Sequence, residues 1–83
     1  MKHYVIILDW ATNDEQGVRI CGVCHSPHKA KKIFNAHLVE EKMIADSKDY
    51  TVWEDRETLF EAGADGRWSE DHTKLYIEEV QGK

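Results

Sequence analysis

The chain is short of the residues that break or staple a backbone: one proline, two cysteines and five glycines among 83 residues. So little proline and glycine excludes a collagen-like repeat or a low-complexity linker. Two cysteines are too few for a disulfide framework, and they are expected as thiols in a reducing compartment. Positive charge is also scarce, with 11 Lys and Arg against 16 Asp and Glu, a net charge of −5 and a pI near 5.4. That balance argues against a general nucleic-acid binder. Long apolar runs are missing as well. Tyr4-Val5-Ile6-Ile7-Leu8 meets Asp9 after five residues, where a signal-peptide core needs about 7–15 and a membrane span about 20. The expectation is a cytoplasmic chain with no membrane partner. There is no Walker loop, nucleophile elbow or dinucleotide fingerprint. A chain this small has little volume for a deep pocket, so an enzyme is disfavoured and no cofactor is implied.

What is present is a set of core formers. Hydrophobic residues make up 41% of the chain, with three Trp, three Tyr and two Phe. That is too many for a disordered segment, and the length suits a single domain over residues 1–83. Ser26 to Asp46 reads as one long helix. Ser26 is a good N-cap and Pro27 fits the first helical position, where its missing N–H costs nothing. No Gly or Pro follows from Lys29 to Ala45. Ala30, Ile33, Phe34, His37, Leu38, Ile44 and Ala45 fall on one side at helical spacing, with Glu41 in the same arc.

The remainder reads as strand and turn. Tyr4–Leu8 is an apolar, β-branched run suited to a central strand, with Trp10 extending the Tyr4/Ile6/Leu8 face. Residues 12–17 close a hairpin into Val18–Val23, where Val18 and Ile20 are expected on one face and Cys21 and Val23 on the other. Gly22 marks a bulge or a close approach of the helix. Tyr50–Trp53 is a short strand, Thr58–Glu61 is ambiguous, Gly63–Gly66 is a turn, and Lys74–Val80 is the last strand before a frayed tail. The expected fold is α+β: a two-layer, mostly antiparallel sheet of about four strands with one long helix, in β-β-α-β-β order.

One helix cannot cover both faces of such a sheet, and Val5, Ile7, Cys21 and Val23 form a second apolar set. The helix also carries a second stripe, Ala36, Val39 and Met43, nearly opposite the first. These helix residues read either as scattered surface apolars or as the expected interface of a homodimer, the commonest closed oligomer, or of a contact with a partner protein.

Four constellations are candidates for chemistry. Cys21-Gly22-Val23-Cys24-His25-Ser26-Pro27-His28 contains CxxCH and a second His, the ligand types of a zinc site, of a thioredoxin-like pair or of a haem attachment. Against a metal at Cys21, Cys24, His25 and His28, residues three apart on a strand point to opposite faces. The plain reading is two small core thiols. His37 and Glu41, one helical turn apart, suit a metal or an oriented general base, or else an overhang that lets Glu41 reach water. His28, Lys29, Lys31 and Lys32 oppose the helix dipole, and with Arg19 they suit an anion or simply a solvated face. The loop Asp65–His72 has acids without the alternate spacing of a calcium loop, and its Trp68 is expected to cap the core or an interface. A further reading is an acidic decoy that fills a basic groove through Glu54, Asp55, Glu57, Glu78 and Glu79.

The hairpin running through Ile20, Gly22, Val23, Ser26, Lys29 and Ala30, an IxGVxxSxxKA pattern, into one helix and then strands resembles small bacterial and prophage-type proteins of unknown function. The resemblance brings no catalytic residues and implies an interaction or accessory role. The leading expectation is thus a small domain that binds itself or a partner. The alternatives are a metal- or thiol-dependent site and the acidic decoy.

Overall fold

A computed structural model describes residues 2–12, 14–64 and 71–81. Its elements run β1 (Lys2–Ala11), β2 (Gln16–Cys24), α1 (Pro27–Ser47), β3 (Thr51–Arg56), β4 (Leu59–Gly63) and β5 (His72–Gln81). The strands form one antiparallel sheet in the order β2-β1-β5-β4-β3. The class is α+β as expected, with five strands rather than about four. The ambiguous Thr58–Glu61 stretch resolves into β4, because a two-residue turn at Glu57-Thr58 folds it back on β3. Among the described residues, no helix is long and apolar enough to cross a membrane.

The helix begins where its cap predicts. Ser26 is extended, and its hydroxyl accepts from the Lys29 N–H at 3.4 Å. At the other end the chain turns sharply through Asp49, whose φ of 57° is a left-handed value that Asp tolerates better than most residues. That turn lets the Tyr50 N–H reach back to the Ala45 carbonyl at 2.8 Å.

The core lies between α1 and one face of the sheet. Phe34, Ala30 and Ala45 meet Ile6 and Leu8 of β1, Leu75 of β5, and Phe60 and Ala62 of β4. Phe34, Phe60, Ile6 and Leu75 are the largest side chains fully out of water. Tyr4, Trp10, Ile33, Leu38 and Ile77 close over its rim, so Trp10 does extend the β1 face.

Two glycines make close packing possible. A Cβ on Gly22 would stand 3.1 Å from the Ile33 side chain, so α1 rests directly on the β2 backbone there. A Cβ on Gly63 would fall 2.2 Å from the Trp53 ring and 2.9 Å from the Asp71 carbonyl. The register of β1 against β2 also slips between Ile6 and Ile7, leaving Cys21 as the extra residue of a bulge. The expectation that Cys21 and Val23 share a face is therefore corrected. Cys21 packs towards the core, while Val23 pairs with Val5 on the face that Ile20 and Ile7 share.

Ion pairs at the surface tie the helix to the far hairpin, Lys42 to Asp55 at 3.2 Å and Lys31 to Glu57. Their ends are solvated, so they orient more than they stabilise. Gly63→Ala should lower stability by about 1–3 kcal/mol through displacement of Trp53. Phe34→Ala should cost about 3–5 kcal/mol through a core cavity. Urea unfolding followed by circular dichroism measures both.

Candidate functional site

The CxxCH stretch straddles the bulge and the strand end. Both thiols lie on the helix side, partly buried against the core. The Cys24 thiol donates to the Ser26 carbonyl at 3.4 Å, the His25 ring stands 4.5 Å from that of His3, and His28 is exposed at the helix start. Among the described residues, no three His, Cys, Asp or Glu side chains gather into a set that could hold a metal. Burial pushes the Cys21 thiol up, Arg19 partly offsets this, and Glu41 and Glu40 add to it. A raised thiol is a poor nucleophile and a poor metal ligand at neutral pH.

The basic run does not form a pocket. Lys29 and Lys32 are exposed, Lys31 pairs with Glu57, and the Ser26 carbonyl and hydroxyl occupy two of the first N–H groups. Of the acids named for a decoy surface, Glu54, Asp55, Glu57 and Glu79 each have an ion-pair partner in Arg56, Lys42, Lys31 and Lys2. The expectation at Trp68, with the rest of residues 65–70, falls outside the described residues, as do Gly82 and Lys83 of the tail.

His37 and Glu41 diverge from expectation. His37 is half-buried, but Glu41 is only 6% exposed, so the expected overhang is overturned and its carboxylate meets solvent only through the cleft beside it. The middle of α1 lies over β5 instead of overhanging an edge, and the Thr73 hydroxyl donates to Glu41 Oε1 at 2.8 Å. Glu41 and Thr73 are the only buried polar residues among those described.

Beside them opens a cleft of about 290 Å³, between the C-terminal half of α1 and the β2–β1–β5 side of the sheet. Leu8, Trp10 and Ile44 give it apolar walls, with Glu41 and Thr73 also in the lining. Arg19, Glu40, Lys48, Tyr50 and His72 bring polar groups to it. Trp10 lies over Gly17, where a Cβ would come within 2.8 Å of the indole. The Tyr50 hydroxyl donates to the Asp71 carboxylate, and the Lys48 ammonium lies 3.5 Å from that hydroxyl. Burial, helped by the Asp71 hydrogen bond and charge, raises Tyr50 to about 12.

Among the described residues, no helix lies on the opposite face of the sheet. Cross-strand pairing sets one row straight across all five strands: Ile20, Ile7, Tyr76, Leu59 and Arg56. A charged row lies beside it, with Lys74 between Asp9 and Glu61. On the other side stand Val23 and Val5, with Val80 further along β5. Val18, Ile20 and Val23 are 68%, 56% and 59% exposed. On α1, Ala36, Val39 and Met43 are also exposed.

Among the described residues the architecture is thus a one-helix, five-stranded antiparallel α+β fold with two unusual surfaces, a cleft over a buried acid and an apolar sheet face on which no described element packs. Against family models, curated proteins and solved structures, the chain finds no match.

The Tyr50 environment sets an alkaline limit on stability. In an unfolded chain tyrosine ionises near pH 10, whereas the folded residue holds its proton to about 12. Between those values the unfolded chain binds fewer protons, so this contribution, whole below pH 10, is lost as pH rises towards 12. Tyr76 is raised too, mainly by burial, so Tyr50→Phe should flatten the decline without abolishing it. Urea midpoints collected from neutral pH to about 12, with tyrosinate absorbance alongside, test this.

Proposed function

We propose that the protein works by binding, and that its first partner is a second copy of itself, docked through the open face of the sheet. The observation that carries this is the apolar row Ile20–Ile7–Tyr76–Leu59, flanked by Val5, Val18, Val23 and Val80, on which no described element packs; Ile7 itself is only 7% exposed, but Val18, Ile20, Val23 and Val80 are 43–68% exposed around it. At about 3.4 Å per residue and 4.8 Å between strands, the five strands present on the order of 600 Å² of face. Side-chain relief brings that close to the roughly 800 Å² per partner of a standard interface. The face also suits an isologous contact. Its charged row holds both signs, so Lys74 of one copy can meet Asp9 or Glu61 of the other across a two-fold axis.

The helix stripe of Ala36, Val39 and Met43 lies on the other layer of the molecule. One two-fold contact cannot use both surfaces, so the stripe is left for a different protein partner. The net charge of −5 disfavours nucleic acid as that partner. The reading places this binding in the cytoplasm, in line with the free thiols of Cys21 and Cys24.

Sedimentation at roughly tens of micromolar protein near neutral pH should show a dimer for the native chain. Ile20→Glu should weaken it by about 30-fold or more, the effect of losing a central apolar anchor. Met43→Glu should leave it intact. A native chain that sediments as monomer removes the proposal. Dissociation by Met43→Glu and not by Ile20→Glu moves the interface to the helix.

A further inference from the structure

We infer that the cleft between α1 and the sheet binds a small apolar amino acid as its zwitterion. The ammonium group meets the Glu41 carboxylate, and the ligand carboxylate meets Arg19 and Lys48 at the mouth.

The starting point is the position of Glu41. It occupies the centre of a helix stripe that otherwise packs Ala30, Phe34 and Ala45 into the core. An acid there is costly unless it is paired and well hydrogen-bonded. Among the described residues its one hydrogen-bond donor is the Thr73 hydroxyl, and no Lys, Arg or His lies within ion-pair distance. The carboxylate lines the cleft, so its remaining acceptor capacity is available to a ligand. An ammonium group supplies three donors and the missing charge together.

The rest of the cleft fits the other parts of such a ligand. Leu8, Trp10 and Ile44 form an apolar wall, and Gly17 lets the Trp10 ring lie flat against β2, so the wall is preformed. The volume of about 290 Å³ is at the small end for a ligand site and favours a single amino acid over a peptide. Arg19 is exposed on the edge strand and makes no ion pair among the described residues, so its guanidinium is free to take a carboxylate. Lys48, just past the helix C-terminus, adds a second cation. Glu40 also lines the cleft, which makes the charge pattern mixed and suits a zwitterion better than a simple anion.

The test is a heteronuclear NMR titration of the full chain with three probes of matched shape: leucine, isoamylamine and 4-methylpentanoate. Leucine should give saturable shifts at Thr73 and Arg19, and each single-charge probe should bind about tenfold more weakly. Glu41→Gln keeps an acceptor for Thr73 but removes the charge. It should weaken leucine by about tenfold or more with the urea midpoint unchanged or raised. Should that variant not fold, Arg19→Ala on the exposed edge carries the test, weakening leucine and leaving isoamylamine unaffected. The inference is overturned by the absence of saturable shifts with leucine, by equal binding of all three probes, or by native affinity in either variant.

Discussion

A sheet has two faces, and the described residues supply one helix with which to cover them. At about 1.5 Å per residue the 21 residues of α1 reach roughly 30 Å, the length of the long strands, but only one layer deep. Most of what is buried follows from that choice of side. The even-numbered residues of β1, from Tyr4 to Trp10, and the odd-numbered Thr73, Leu75 and Ile77 of β5 go under the helix, and with them Phe60 and Ala62 of β4. Their neighbours along each strand must then point the other way. The alternation that builds the core therefore also builds an apolar surface on the other face, where no described element packs.

Within the covered layer the stabilising material is modest. Small domains bury a limited fraction of their surface and stand only a few kcal/mol from unfolding. A carboxylate placed at the centre of the packing stripe is hard to justify on stability alone. Among the described residues Thr73 bonds one of the carboxylate oxygens and the other faces the cleft, where a leucine at the same position would have contributed apolar area. Such departures from the consistent pattern of a fold are the places where a sequence carries something other than folding information.

Much of this architecture was readable in the residues. The Ser26-Pro27 cap located the helix start, and the alternation of β1 and β5 assigned their faces, because both rest on local chemistry and a fixed period. Other features depended on partners distant in the chain. β4 is five residues long and ends in Ala-Gly, too short and too weak a β-former to stand out until β3 and β5 pair with it. The bulge at Cys21 adds one residue to one strand and reverses the faces beyond it, so strict alternation put Val23 with the wrong neighbours. Glu41 was marked as odd within an apolar arc, but its burial depends on β5, some thirty residues downstream, passing under the middle of the helix. Trp10, Arg19 and Tyr50, spread over forty residues, gave no local sign that they share a cleft with it.

The sheet order has a consequence for how the molecule comes into being. β5, the last strand, lies between β1 and β4, so the N-terminal hairpin and the β3–β4 hairpin have no direct seam with each other. Each hairpin can form early from nearby residues, but the two halves join only when the C-terminal strand slots between them and pairs Lys2 with Gln81. Closing a loop that spans nearly the whole chain is slow compared with forming either hairpin. On a ribosome the pairing edge of β1 stays open until β5 has emerged, and during that interval it is a template for any other strand nearby. The joining of the two hairpins thus waits on a distant strand, and loss of β5 would split the sheet instead of trimming it.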